Sequence, residues 1–369
     1  MRRVTVVLYG ATGYTGVLVT DELVRRGAPF VLAGRNREKL ERVSAQRGRG
    51  APVAVASLDD PQSLRRVLDQ ARVVINCAGP FTLAGEALVR AAIDTDTHYV
   101  DSTGEQTYIR MVFERLGAEA ERRGVALVPA MGFDYAPGDC IARLAANGLE
   151  PLERLTLAYS VKGFGMSRGT MRSGLEMMKG GDVVYEDGDW RPAPLGVFRT
   201  SFAFPAPIGE QPMSRYPSGE VITVPRHTRT RSVSSLITTR TVAPGPLAAA
   251  LPYLTPALAL TLRTPLRRAL GRAIELLPEG PPQEERRAAE FTIIAEVLAE
   301  DGRLGRGVVR GRDVYGLTAV TLVHGAELMW TEGYDRAGAL APAAAYDPGR
   351  FLDYLTGHGI GWDLERPPD

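Results

Sequence analysis

The sequence predicts an α/β chain, with an N-terminal doubly wound parallel sheet of the Rossmann type and a second, mixed α+β domain. Three observations predict it. Short apolar runs alternate with helical patterns as far as Val128, as parallel βαβ units require. A glycine-rich turn joins the first such strand to the first helix. Near residue 150 the alternation gives way to a segment punctuated by Gly and Pro. A length of 369 residues also suits two domains better than one.

Val4–Leu8 reads as a buried strand, followed by the glycine turn and a helix to about Arg26. Phe30–Ala33 is the second strand and Glu38–Gln46 a charged helix. Val53–Ala56 is the third strand; a helix over Pro61–Gln70 follows, with Asp60 as its N-cap and Pro61 in its first turn. Val73–Asn76, Tyr99-Val100 and Val125–Val128 complete the sheet, with helices over Ala84–Ile93 and Tyr108–Arg122. This first domain is expected to span residues 1–150. Residues 151–345 are expected to form a substrate and dimerisation domain. It holds a strand at Leu155–Val161, a helix over Met166–Lys179, an irregular aromatic stretch to about Pro225, and an apolar helix at Leu317–Trp330. Phe291–Ala299 and Leu304–Arg310 read as a hairpin around Asp301-Gly302. Residues 346–369, with a helix over Pro348–Thr356, read as a tail able to return to the first domain.

A net charge of +1 gives no reason to expect a nucleic acid partner. Two cysteines, Cys77 and Cys140, make no disulfide framework, and the scattered histidines suggest no metal site. Met1-Arg2-Arg3 runs directly into the first strand, leaving no room for a removable signal peptide, so the expected location is a reducing cytoplasm. Val242–Leu262 carries no charge and approaches bilayer-spanning length, yet Pro244, Pro246, Pro252 and Pro256 interrupt it. An arginine-rich stretch follows, with Arg263, Arg267, Arg268 and Arg272. The favoured reading is a helical hairpin covering the second domain or forming a subunit contact; a membrane-surface helix is the alternative.

The turn Gly10-Ala11-Thr12-Gly13-Tyr14-Thr15-Gly16 is the candidate cofactor site. Its glycines permit a tight turn, close backbone approach to a pyrophosphate, and contact between strand and helix, whose N-terminus then faces the phosphates. The second strand ends in Arg35-Asn36 where an NAD site would carry an acid. A guanidinium suits a 2′-phosphate, so NADP(H) is expected. Asp60 either meets the adenine or only caps its helix. Cys77, Ala78, Gly79 and Pro80 follow the fourth strand and are expected beside the nicotinamide ribose, with Cys77 a packed residue rather than a nucleophile. Asp101, Asp134 and Tyr135, in the loops after the fifth and sixth strands, are the candidate catalytic groups, Tyr135 first among them as proton donor. Asp101 and Asp134 read equally as helix caps, and no Tyr-x-x-x-Lys pair is present.

The glycine turn, Ala33-Gly34-Arg35-Asn36, Asn76–Phe81, Tyr99-Val100-Asp101 with Gly104-Glu105, and Gly132-Phe133-Asp134 with Pro137-Gly138-Asp139 together resemble the saccharopine dehydrogenase-like oxidoreductases. So do Ser167–Thr170, Gly280-Pro281, Arg310-Gly311, Tyr315-Gly316 and Leu340–Ala343. The resemblance is nearest to the trans-acting enoyl reductase branch. It implies hydride transfer from NADPH to a double bond of a small-molecule or carrier-bound acyl substrate, with a polyketide synthase as the implied partner. An imine reductase or amino-acid dehydrogenase and a non-catalytic NADP(H)-binding regulator are the alternatives. A homodimer is expected, as is common for two-domain reductases.

Overall fold

The computed structural model describes residues 4–69, 71–177, 181–194, 198–242 and 266–365. The chain forms two compact units, Met1–Ala136 with Tyr315–Tyr346, and Pro137–Val314 with Asp347–Asp369.

In the first unit β1 (Val4–Tyr9), β2 (Phe30–Gly34), β3 (Val53–Val55), β4 (Ala71–Asn76), β5 (His98–Asp101) and β6 (Ala126–Val128) alternate with helices. These are α1 (Tyr14–Arg26), α2 (Arg37–Gln46), α3 (Pro61–Leu68), α4 (Phe81–Asp94) and α5 (Gln106–Met111), which runs through a π-helical turn at Val112–Leu116 into α6 (Gly117–Arg122). Val6, Val7 and Leu8 are buried along β1, as are Val73, Val74 and Ile75 along β4. Strands apolar on both faces need helices on both sides, and parallel pairing supplies them. α1 stops at Gly27, whose positive φ of 66° turns its N–H back to the carbonyls of Leu23 and Val24.

The second unit begins with α7 (Ala136–Ala146), β7 (Leu152–Lys162), α8 (Arg168–Met177), β8 (Val183–Glu186) and β9 (Asp189–Pro192). β10 (Thr200–Ala203), β11 (Glu210–Arg215), α9 (Glu220–Thr223), β12 (Val233–Thr238) and α10 (Thr239–Val242) follow. After α11 (Leu266–Glu275) and α12 (Gln283–Ala288) come β13 (Glu290–Ala299) and β14 (Leu304–Arg312), the hairpin expected around Asp301-Gly302. The chain then re-enters the first unit as α13 (Val314–Trp330), β15 (Gly338–Ala339) and α14 (Pro342–Ala345), and ends in the second with α15 (Pro348–Thr356) and β16 (Gly361–Glu365).

The first sheet has seven strands in the order β15-β6-β5-β4-β1-β2-β3. The chain winds outward from β1 on one side and resumes at β4 on the other, which makes the β1–β4 boundary the switch point where ligands of such sheets bind. The second sheet is mixed and nine-stranded, with β10-β11-β12-β7-β13-β14-β16 as its main path. Ala158, Ile294 and Val308 of its central strands pack with Phe202, Phe204, Met213 and Leu236.

Three expectations change. The first unit ends at Ala136 rather than at residue 150. Residues 315–346 belong to it rather than to the second, because β15 adds to the edge of β6, with Gly338 opposite Ala126. Gly117 makes room for that strand: a Cβ there would come within 3.1 Å of the Ala339 Cβ. The C-terminal tail joins the second unit, since β16 pairs with β14. The irregular stretch before Pro225 also holds β8 to β11, and β12 lies just beyond it. Their exposure patterns lack the clean alternation by which a half-buried strand announces itself. The proline-rich hairpin read over Val242–Leu262 falls, apart from Val242, outside the described residues.

One buried charge cluster ties α1 to α13. Glu22 accepts from Arg25 and, at 2.6 Å, from Arg26, and Arg26 also pairs with Glu327. Burial alone would raise the Glu22 carboxyl, but the two guanidinium groups outweigh it and hold the group below its ordinary range. Removing Glu22 leaves the buried Arg26 undercompensated. Glu22→Ala is expected to lower the unfolding free energy by about 3 kcal/mol at neutral pH. A depressed carboxyl stabilises only while ionised, so the gap from the parent should close as the pH falls below about 4. Urea unfolding of both proteins across pH checks this.

Candidate functional site

The glycine turn sits at the switch point, held by backbone contacts that no Cβ would allow. Gly10 has a φ of +79°, and a Cβ there would lie 2.7 Å from the Ala78 nitrogen. A Cβ on Gly16 would lie 2.2 Å from the Gly10 carbonyl oxygen. Those two glycines bring α1 against β1 and against the loop after β4. Gly13 differs: its backbone is ordinary extended chain, and an added Cβ would meet just the Gly10 oxygen, at 3.6 Å. Gly13 is the N-cap of α1, it offers no side-chain cap, and no acid stands in the first turn. Gly13 is exposed and Thr12 and Thr15 are half-buried, while Ala11 and Gly16 are buried beneath them. An exposed, uncapped helix start with small residues around it suits a phosphate. Tyr14 packs edge-on against Tyr315, with ring centres 5.1 Å apart.

Arg35 extends from the carboxyl end of β2, exposed, and forms no ion pair among the described residues. Its charge opposes the effect of burial on the Tyr9 hydroxyl, which donates to the Ala56 carbonyl and lies raised above its ordinary range. Arg37, two residues on, pairs with Glu41 at 3.5 Å. Arg35 is thus the cation available to a ligand phosphate at this strand end. Asn36 and Asp60 serve as helix caps. Asn36 accepts from the Lys39 N–H, and Asp60 accepts from those of Gln62 and Ser63.

The loop after β4 is shaped by Asn76, the last residue of that strand. Its side-chain oxygen accepts from the Ala78 N–H at 2.9 Å, and its amide donates to the Tyr99 hydroxyl, itself 2.8 Å from that of Tyr108. The loop Cys77-Ala78-Gly79-Pro80 thereby curls beside Gly10. Cys77 is half-buried, and burial followed by the nearby Asp101 charge pushes its thiol well above the ordinary range. It stays a thiol, not a nucleophile.

Asp101 and Glu105 are buried carboxylates that organise loops. Glu105 spans the start of α4, accepting from the N–H groups of Phe81 and Thr82 at 2.9 and 2.8 Å. Asp101 accepts through Oδ1 from Thr103 and from Ala130, a residue held at a φ of +64°. Its carbonyl receives the Met131 N–H at 2.7 Å. The loop after β6 is fixed from the other side by α13, where Thr321 donates to the Met131 carbonyl and Thr318 accepts from Phe133. Within that loop Asp134 folds back over Gly132, and the Tyr135 ring is buried with its hydroxyl against Gly104. The three candidate catalytic residues therefore meet through two loops, with Asp101 as the bracket that joins them. Burial raises the Asp101 carboxyl to about 6, against the pull of the Thr103 and Ala130 amides. Among the described residues no cluster of His, Cys, Asp or Glu is arranged to hold a metal ion.

The comparisons with known proteins agree with this geometry. Residues 6–129 match the saccharopine dehydrogenase NADP binding domain. The chain is 30% identical over 214 residues to a saccharopine dehydrogenase-like oxidoreductase of Bos taurus, covering 51% of this chain and 50% of that protein. It is 37% identical over 143 residues to a trans-acting enoyl reductase of Mycobacterium leprae, 37% of this chain and 34% of that one. It is 39% identical over 150 residues to a lipid droplet localized protein of Caenorhabditis elegans, 38% of this chain and 35% of the relative. The matched part thus spans half or less of these relatives' length. Across 98% of this chain and 99% of its counterpart, the fold matches apo saccharopine dehydrogenase (L-Glu forming) from Saccharomyces cerevisiae, with a TM-score of 0.63 and 13% identity. No helix among the described residues is long and apolar enough to cross a membrane.

Three variants test the site. Gly13→Ala should leave unfolding within about 1 kcal/mol of the parent yet weaken NADPH binding about tenfold, because the methyl group takes the space of the pyrophosphate. Arg35→Glu should reverse the preference for NADPH over NADH in fluorescence titrations. Asp101→Asn keeps the Oδ1 acceptor without the charge. A raised carboxyl costs stability once ionised, so the variant should match the parent at about pH 4 and exceed it by about 2 kcal/mol above pH 7. Residues 6–129 match the saccharopine dehydrogenase NADP binding domain and bind NADP(H), and part of the chain is similar to saccharopine dehydrogenase-like oxidoreductases.

Proposed function

We propose that the chain is an NADPH-dependent oxidoreductase that reduces a double bond in an apolar, acyl or polyketide-derived substrate. The observation that carries the reading is the uncapped start of α1 at the switch point, together with Arg35, which forms no ion pair among the described residues. NADPH bound there supplies a hydride. The turn at Gly10 to Gly16 grips the pyrophosphate, Arg35 meets the 2′-phosphate, and the Asn76 loop lies alongside the nicotinamide ribose.

Tyr135 is the proton donor in this reading. Its buried phenol lies against Gly104, where the loop after β5 meets the loop after β6, and Asp101 and Glu105 accept from backbone N–H groups there. Asp101 acts through the loop that carries Tyr135. Similarity to a trans-acting enoyl reductase supports a carbon–carbon double bond. Similarity to a lipid droplet localized protein supports an apolar substrate.

NADPH oxidation against panels of enoyl thioesters and cyclic imines tests the proposal. Turnover of enoyl thioesters is expected. Turnover of imines alone would replace the enoyl assignment, and tight NADPH binding with no turnover of either panel would make the chain a cofactor-dependent regulator. Tyr135→Phe should lower kcat about a hundredfold while leaving NADPH affinity unchanged.

A further inference from the structure

We propose that Tyr99 is a positioning residue for NADP(H), carrying the protonation state of Asp101 to the loop after β4. This rests on the reading that Cys77-Ala78-Gly79-Pro80 lines the nicotinamide ribose. Tyr99 is fully buried, and its hydroxyl joins two halves of one network. On one side it accepts from the Asn76 amide at 2.9 Å, while the Asn76 oxygen holds the Ala78 N–H. On the other it lies 2.8 Å from the Tyr108 hydroxyl. Gly85 of α4 makes the seat for that second ring, since a Cβ there would overlap it. Asp101 lies beside both hydroxyls, which favour its ionised form. Its Oδ1 is taken by the Thr103 and Ala130 amides. Its Oδ2 is buried and has no hydrogen-bond partner among the described residues.

The hydrogens of this network give the coupling its direction. The two tyrosines bring two hydroxyl hydrogens, and one is used in the contact between them. The other needs an acceptor, and the ionised Oδ2, buried beside them, can serve. Every hydrogen then has a place, and the Asn76 amide keeps its orientation. Protonation of Asp101 fills that acceptor with a third hydrogen. The surplus is absorbed when the Asn76 amide turns over, presenting its oxygen to Tyr99 and releasing the Ala78 N–H. The loop that abuts Gly10 is then held less firmly. Burial raises the Asp101 carboxyl to about 6, so ordinary buffers span the change. Besides the tyrosines, two titratable groups face this network. Cys77 stays a thiol throughout, and Glu105 is engaged at the start of α4. Firm grip on the cofactor therefore goes with an ionised Asp101.

Calorimetric titration of the full chain with NADP+ and with 2′,5′-ADP, from about pH 5 to about pH 8, tests this. Both ligands carry the 2′-phosphate, whose own second ionisation lies at about 6. Only NADP+ carries the nicotinamide half. As the pH drops from about 7.5 to about 5, the parent's affinity for NADP+ should fall about fivefold further than its affinity for 2′,5′-ADP. Asp101→Asn mimics the protonated acid. It should bind NADP+ about fivefold more weakly than the parent at about pH 7.5, and equally at about pH 5. Tyr99→Phe keeps the ring and cuts the link, so both ligands should follow one pH profile. Circular dichroism at each pH shows that the proteins compared are folded. Equal NADP+ profiles for the parent and Asp101→Asn overturn the proposal, as does a folded Tyr99→Phe that keeps the parent's excess. A fall lost in Asp101→Asn for both ligands alike upholds the coupling and overturns the placing of the loop beside the nicotinamide ribose.

Discussion

The contact between the Gly10 carbonyl and Gly16 is the constraint on which the first unit rests. It sets how closely α1 approaches the sheet, and Gly10 in turn abuts the backbone of Cys77 and Ala78. Three segments distant in sequence share one small volume because two positions have no side chain. Any Cβ there would push α1 outward and turn its N-terminus away from the strand ends. The space over Gly13 differs: the fold leaves it open where it crowds the other two glycines.

The distribution of buried acids sharpens that picture. A parallel sheet presents several helix starts at one edge, and each could attract an anion. Here Glu105 holds the start of α4, while Asp60 and Asn36 cap α3 and α2. α1 is left without a side-chain cap at the switch point. The starts of α2, α3 and α4 are thus satisfied by side chains of the chain itself. Asp101 performs a related task on the next loops, accepting two amides and drawing the segment after β6 beside the segment after β5. Ala130 keeps its left-handed conformation within that bracket, a strain maintained by the surrounding hydrogen bonds.

The parallel unit was legible because its signals are local and redundant: apolar runs, caps such as Asp60-Pro61, and the glycine spacing all agree. The cofactor type was legible from one residue, Arg35, at a place where chemistry admits few alternatives. The second sheet was harder, since β8 to β11 have mixed exposure and draw their stability from partners far along the chain. The hydrogen bond by which Asn76 shapes its loop was hidden for a different reason. It acts on a backbone group of a turn whose shape is not encoded in the residues beside it. Tyr315 illustrates the same difficulty: nothing near it in sequence indicates that its ring will meet Tyr14.

That last contact belongs to a segment with a wider consequence. The first unit is written in two pieces, with Pro137–Val314 between them. β15, the edge strand beside β6, and α13, which anchors the loop after β6 through Thr318 and Thr321, are both made after the second unit's central strands. During synthesis the nucleotide-binding half must therefore wait, open along one edge, until its partner unit has largely emerged. Its closing contacts have high sequence separation and the loop entropy that goes with it. A gene fragment ending near residue 136 would carry every glycine of the turn and still lack the helix that holds the neighbouring loop.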